Sequence, residues 1–194
     1  MKTVTAPDIA DAIAKGGQLL NILIAACLTM QKRAAWLPSE ENPRNDYLCD
    51  ILRSAGIYIL DQTRSGIANV KAGNVDFIIQ DNKRRDYAIV EAMNLANMNK
   101  RYIQEHITKL MSLDRYNVNG LKELYLLAYV SVADFSDFIN TYEIFLKDEA
   151  LYPSELLLQY LVTVNQTTTS IHVWRAIHEN DTIVYHICTR IPQN

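Results

Sequence analysis

The 194-residue sequence lacks a positive net charge, a close pair of cysteines and an apolar run long enough to cross a membrane. Its formal net charge of −3 means that binding to nucleic acid would depend on a local basic patch. The three cysteines lie far apart, which favours reduced thiols in a cytoplasmic protein over a disulfide framework. Because no glycine-rich phosphate loop or dinucleotide fingerprint occurs, nothing supports an ATPase or a dehydrogenase.

What is present is the composition of a globular chain, with 49% hydrophobic and 21% charged residues. The length suits one domain over 1–194 with its own core. Helical and alternating patterns predict the order long helix, helix, three strands, helix, strand, helix and hairpin. Strands mixed with helices on one sheet are typical of the α/β or α+β class. We expect a helical extension over 1–35, a core over 42–130, and a C-terminal helix and hairpin over 131–194.

Local signals set the expected element boundaries. The first helix is predicted to run to about residue 33 and to bend at Gly16-Gly17, and its apolar stretch 19–28 is predicted either to be buried in its own domain or to dock on a partner. The second helix is predicted to begin with Asn42 as its N-cap and Pro43 at the first helical position, and to stop at Gly56. Strands are expected at 57–60, 75–79, 87–92 and 121–130, helices at 99–113 and 134–147, a loop at 61–71, and a hairpin with a two-residue turn within 171–190.

Three of the four histidines lie in or beside the predicted hairpin. With a two-residue turn, His172 and His178 lie about 20 Å apart along one strand, and His186 points to the opposite face. Zinc ligands must converge on one point, so the sequence predicts no zinc site there.

Two carboxylates interrupt consecutive apolar strands in the middle of the chain. Asp76 lies within the second predicted strand, and Glu91 follows 15 residues later in the third. If these strands pair as a hairpin, the two carboxylates meet at one edge of the sheet, because neighbouring strands are only about 4.8 Å apart. Two ionised carboxylates so close repel each other unless a cation separates them, and Mg²⁺ or Mn²⁺ suits such oxygen ligands. A hydrogen-bonded role in the core or in anchoring a loop is the alternative for each acid.

The residues around these acids resemble the PD-(D/E)xK nuclease superfamily, and more closely a bacterial group that is often found in genome-defence contexts. The matches occur in order along the chain: Arg44, Asn45 and Tyr47 on a helix, Asp61-Gln62 and Gly66 in a loop, Gly73 and Asp76, Glu91-Ala92, and then His106 with Lys109-Leu110. The resemblance implies an α/β fold with a restriction-endonuclease-like core of helix, three strands, helix and strand. It also implies a Mg²⁺-dependent (or Mn²⁺-dependent) DNA endonuclease, or a nuclease-like subunit, of a bacterial defence system.

The resemblance assigns metal binding and catalysis to Asp76 and Glu91, with Glu41 as a candidate third carboxylate. Two positions depart from the pattern. The lysine of the superfamily stands two residues after the glutamate, and that position is Met93 here. Asn74 occupies the place where the group often has a second acid. A methionine carries no charge to stabilise the attacking water, so the function of that lysine would have to come from elsewhere.

The helix that follows Glu91 offers substitutes for the missing lysine. His106 and Lys109 stand three residues apart and share a helix face, and either is a candidate to assist the attacking water. Gln62 is a weaker candidate for positioning that water. A structural role for His106 and a solvated helix edge for Lys109 are the alternatives. The candidate contacts to nucleic acid are the cationic residues near this cleft, Arg44, Arg64, Lys100 and Arg101.

These observations leave more than one function open. The expected partner is nucleic acid, most simply DNA, and so short a chain is expected to hold a duplex as a homodimer or within a larger complex. The alternative is a catalytically degenerate nuclease fold that serves as a binding or regulatory subunit, with the long apolar helix as its docking element. A sensor of a phosphorylated small molecule in the same cleft is a third interpretation.

Overall fold

The computed structural model describes residues 6–65, 73–112, 120–121, 123–148, 159–165, 170–177 and 182–192. These residues form α1 (Ala6–Gln31), α2 (Glu41–Ser54), β1 (Tyr58–Ser65), β2 (Gly73–Gln80), β3 (Asp86–Leu95), α3 (Lys100–Met111), β4 (Glu123–Val130), α4 (Phe135–Asp148), β5 (Gln159–Asn165), β6 (Ser170–Ile177) and β7 (Ile183–Arg190). A short 3₁₀ helix, Ala34–Trp36, lies between α1 and α2. The α/β class is confirmed, because the helices and strands alternate around one mixed sheet.

The sheet has the strand order β1-β2-β3-β4-β7-β6-β5. The central strand β4 runs parallel to both of its neighbours, β3 and β7, whereas the other strand pairs are antiparallel. A parallel pair needs a long crossover, which α3 supplies between β3 and β4. Central parallel strands are covered on both faces, and β4 is accordingly buried from Leu124 to Val130.

Helices cover both faces of the sheet, and each face has its own apolar core. The first core packs α1 and α2 onto alternate residues of the central strands, with Leu20, Leu23 and Cys27 of α1 fully or almost fully buried. The second core packs α3 and α4 onto the intervening residues, with Ile103 and Tyr142 fully buried. The apolar half of α1 is therefore buried in its own domain, which is the first of the two alternatives that the sequence left open.

The helix boundaries agree with the predictions except at the start of α2. The predicted bend of α1 is confirmed at Gly17, whose positive φ of 76° is non-helical. The prediction that Asn42 caps α2 is wrong, because the helix already begins at Glu41. The Glu41 side chain accepts a hydrogen bond from the backbone of Asn94 on β3, and this tertiary contact fixes the helix start two residues earlier, with Glu40 as the N-cap. The helix ends as predicted, with Gly56 at a φ of 84°.

The strands differ more from the predictions than the helices do. The loop predicted from residue 61 is wrong as far as Ser65, because β1 pairs with β2 through to Ser65↔Gly73 and this pairing overrides the polar sequence. The edge strand β5 was not predicted. The β6–β7 hairpin is confirmed, but its connection is longer than two residues and the register pairs Trp174 with His186. The prediction that His186 faces away from His172 is therefore wrong, whereas His178 lies outside the described residues. Within the described part of the chain, no helix is long and apolar enough to cross a membrane.

Candidate active site

The candidate site lies at an opening between β2 and β3. The pairing of these strands ends at Val90, whereas β3 continues beside β4 to its end. Two backbone N–H groups beyond that point donate to carboxylates instead of to a strand. The Ala92 N–H donates to Asp76 Oδ2 at 2.7 Å, and the Asn94 N–H donates to Glu41 Oε2 at 3.1 Å. Carboxylates thus accept the backbone hydrogen bonds of β3 at residues with which β2 no longer pairs.

Asp76 is held from the other side by an amide on α2. Asn45 donates from Nδ2 to Asp76 Oδ1 at 3.2 Å, and its own Oδ1 accepts a 2.7 Å hydrogen bond from the Tyr129 hydroxyl. Because a hydroxyl donor fixes which side of the amide is oxygen, the Nδ2 group must face Asp76. The matched pattern on the first core helix includes Asn45, but no feature of the sequence predicts its contact with Asp76.

Glu91 is almost completely buried, with 3% of the residue exposed. Its Oε1 lies 2.9 Å from Nδ1 of His106 on α3, and the His106 ring packs edge-on against Tyr102 at 4.4 Å between centroids. The second oxygen, Oε2, is buried and has no hydrogen-bond partner among the described residues. A buried carboxylate oxygen without a partner is unfavourable, so this atom is placed to accept a proton or a cation.

The three acids lie close enough to change one another's protonation. Burial and the charge of Glu91 raise the pKa of Asp76 to about 7. Burial also raises the pKa of Glu91 to about 8, with the charge of Glu41 adding to the effect and that of Lys109 opposing it. Burial and the charge of Asp76 raise the pKa of Glu41. Carboxyl groups coupled in this way titrate together, and each favours a counterion or a shared proton.

The candidate replacements for the missing lysine lie on the side of the site formed by α3. Burial and the neighbouring Lys109 charge lower the pKa of His106, which keeps its imidazole neutral near pH 7. Lys109 is half-buried, and its charge lowers the pKa of Glu91. Met93 is fully buried in the core beneath the helices, so the usual lysine position is closed. Among the described residues, no lysine or arginine forms an ion pair with Asp76 or Glu91.

The structure brings five of the predicted site residues together, namely Glu41, Asp76, Glu91, His106 and Lys109. Gln62 and Arg64 belong to β1, which pairs with β2 alongside the site, but their side chains lie outside the described residues. Lys100 and Arg101 are exposed in the first turn of α3, where Arg101 pairs with Glu105 at 3.0 Å.

Arg44, which the sequence names as a candidate contact to nucleic acid, is buried. Only 6% of the residue is exposed, because α2 turns it toward the sheet. Its Nη1 donates to Asn94 Oδ1 at 2.7 Å, and its guanidinium lies 5.8 Å from the centre of the Tyr129 ring. Arg44 therefore connects α2 to β3 from inside, and its contact with nucleic acid stays a prediction.

The acids fit the Mg²⁺ that the resemblance implies, although they do not form a complete cage. Among the described side chains, no group of three or more His, Cys, Asp or Glu residues is arranged to hold a metal ion. Mg²⁺ keeps several waters and usually takes one or two protein carboxylates, so a dense cage is not required. The partnerless Oε2 of Glu91 and the neighbouring carboxylate of Asp76 meet that requirement.

Comparison with known proteins adds no assignment. The chain matches no protein-family model, no curated protein and no solved structure.

Proposed function

We propose that the chain is a Mg²⁺-dependent DNA endonuclease of the PD-(D/E)xK kind, or a nuclease-like subunit, acting in the cytoplasm as part of a bacterial defence system. The observation that carries the proposal is the pair Asp76 and Glu91. These acids come from adjacent strands, and the charge of Glu91 raises the pKa of Asp76, yet no described lysine or arginine forms an ion pair with either acid. Such a pair is costly for folding alone, which supports a functional role.

The proposed roles follow from the contacts of each residue. Asp76 and Glu91 would hold the metal, with Glu41 supporting the same negative region. When bound, Mg²⁺ supplies Lewis acidity toward a phosphate and lowers the pKa of a coordinated water. Lys109 would provide the positive charge that Met93 cannot, and His106 acts as a positioning residue because it fixes Oε1 of Glu91.

DNA cleavage in the presence of Mg²⁺ tests the proposal. The variants Asp76→Asn and Glu91→Gln each remove one charge with little change of shape, and each should abolish cleavage of a labelled duplex. Asp46→Asn is the matched control, because Asp46 is exposed on α2. Undiminished cleavage by both acid variants would exclude this site as the catalytic centre.

A second candidate is a degenerate nuclease fold that binds nucleic acid without cutting it. The full burial of Met93 at the lysine position favours this candidate. Calorimetric titration with Mn²⁺ separates the two. Mn²⁺ binding that is lost in Asp76→Asn, together with DNA cleavage by the wild type, indicates the enzyme. DNA binding without cleavage or Mn²⁺ uptake indicates the degenerate subunit.

Exposed cations at the start of α3 offer a contact for the DNA backbone. Lys100 and Arg101 lie in the first helical turn, where the helix dipole does not favour positive charge. An interaction with phosphates would offset that cost. The double variant Lys100→Ala/Arg101→Ala should weaken DNA binding and reduce its salt dependence.

The protein is expected to form a homodimer or to belong to a larger complex. Light scattering measures its oligomeric state.

A further inference from the structure

A second cavity lies beside the acidic site, at the carboxyl ends of the parallel strands. It has a volume of about 600 Å³ and is bordered by Asn94 near the end of β3, Ser131 just after β4 and Pro192 just after β7. The segment between α1 and α2 forms its remaining wall, with Ala34, Leu37 and Ser39. Ligands of α/β proteins commonly bind at this end of parallel strands, and ligand cavities are typically about 300–1,000 Å³. The cavity is therefore large enough for one nucleotide.

The buried cation Arg44 borders this cavity and forms no ion pair among the described residues, although the charges of Glu40 and Glu41 act to raise its pKa. Among the described residues, the only hydrogen bond of the Arg44 guanidinium is the one to Asn94 Oδ1, and no carboxylate lies within ion-pairing distance. An arginine has five N–H donors in a planar fork that matches phosphate oxygens. Because Glu40 and Glu41 lie beyond ion-pairing distance, they compensate the buried charge only in part, and the remaining donors are open to an anion that enters the cavity.

The rest of the lining suits the non-phosphate part of such a ligand. Ala34, Leu37 and Pro192 present apolar surface, whereas Asn94 and Ser39 contribute polar groups that a nucleoside can meet. The Asn94 amide donates to the Ser39 carbonyl at 3.3 Å, which fixes the wall on that side. An inorganic anion alone would leave most of the volume and the apolar wall unused.

Asn94 also joins this cavity to the acidic site. Its side-chain oxygen accepts from Arg44, while its backbone N–H donates to Glu41 Oε2 at 3.1 Å. The charge of Asp76 in turn contributes to the raised pKa of Glu41. A ligand bound on Arg44 is thus two hydrogen bonds away from an acid of the proposed catalytic region.

We propose that this cavity binds a nucleotide, either free or as one unit of a nucleic-acid chain, with Arg44 holding its phosphate and the apolar wall holding its base. The inference extends the proposed function to a second binding site, but it does not require metal or cleavage. It can therefore succeed or fail independently of the nuclease assignment.

Binding of thymidine 5′-monophosphate to the full chain in EDTA tests the inference by calorimetry. We expect binding at least tenfold tighter than that of thymidine or of inorganic phosphate. Ala96→Trp should weaken it at least tenfold, because Ala96 is exposed at the cavity mouth and a large ring there fills the space. Ala25→Trp is the matched control, since Ala25 is exposed on α1 and does not line the cavity. Arg44→Gln should weaken binding of the monophosphate but not of thymidine.

Three results would overturn the inference: no binding of the monophosphate, equally tight binding of inorganic phosphate, or binding that Ala96→Trp leaves unchanged. A 5′-phosphorylated hexathymidylate distinguishes the source of the ligand. Binding as tight as that of the monophosphate supports a nucleic-acid chain, and binding at least tenfold weaker supports a free nucleotide. Glu91→Gln should retain monophosphate binding even if it abolishes cleavage, so failure of the nuclease proposal is distinguishable from failure of this one.

Discussion

Replacing Glu91 by glutamine should change how the stability of the metal-free protein depends on pH. Burial in the folded state raises the pKa of Glu91 from its ordinary value of 4.5 to about 8, and that of Asp76 from 3.8 to about 7. A carboxyl group whose pKa is higher in the folded state binds its proton more tightly there. Its contribution to stability is therefore fully present below the unfolded pKa and is lost as the pH rises through the folded pKa.

The size of this effect follows from the linkage between pKa and free energy. One pKa unit corresponds to about 1.4 kcal/mol, so the rise of the Glu91 pKa from 4.5 to about 8 sets an upper bound of about 5 kcal/mol for this group in isolation. Coupling between the two acids and the nearby Lys109 charge reduce that bound. We expect the free energy of unfolding of Glu91→Gln to rise relative to the wild type by about 1–3 kcal/mol between pH 5 and pH 8.5.

Urea unfolding followed by circular dichroism, in EDTA at several pH values, measures the difference. Comparing the variant with the wild type at each pH removes most of the contribution of other titrating groups, including His106, whose lowered pKa opposes the trend at acidic pH. Asp46→Asn should show no such pH-dependent difference, because Asp46 is exposed on α2. A constant difference between Glu91→Gln and the wild type from pH 5 to pH 8.5 would refute the electrostatic account of this site.

Three further predictions concern the metal, a positioning amide and the candidate lysine. Mn²⁺ at pH 8 should raise the melting temperature of the wild type by several degrees but not that of Glu91→Gln, as differential scanning fluorimetry will show. Asn45→Ala should lower stability by about 1–3 kcal/mol in urea unfolding, because Tyr129 and Asp76 both lose a buried partner. Lys109→Met should lower kcat at least tenfold with little effect on DNA binding, whereas equal losses in kcat and affinity would contradict its proposed role.

The acidic pair was predictable because each carboxylate interrupts an apolar strand, and burying a carboxylate there costs free energy. Carboxylates such as Asp76 and Glu91 seldom interrupt apolar strands without a reason, and the turn between these strands made their pairing foreseeable. The bend of α1 and the end of α2 were foreseeable for a similar reason, since glycine takes a positive φ at little cost. Element identity along the middle of the chain therefore followed from short stretches of sequence.

Other features depend on contacts between distant segments. Nothing near Asn94 in the sequence indicates that its backbone would meet Glu41 and its side chain would meet Arg44, residues that lie about fifty positions earlier. The extension of β1 through Ser65 depends on its partner strand, because its own sequence is polar. The register of the β6–β7 hairpin depends on the length of its connection. The assumption of a two-residue turn therefore led to the wrong register.

The structural and functional interpretations of Asp76 are compatible, because its carboxylate does two things with different atoms and different charge requirements. Oδ2 satisfies the Ala92 N–H at the point where β2 leaves β3, and any carbonyl-type oxygen could do so. That duty does not need a negative charge. The raised pKa shows that the charge is, on the contrary, unfavourable for the fold. An asparagine has one side-chain oxygen, so it would accept from the Ala92 N–H or from the Asn45 amide but not from both. The hydrogen bonds therefore account for two carboxylate oxygens at this position, and the cation that we propose would balance the charge.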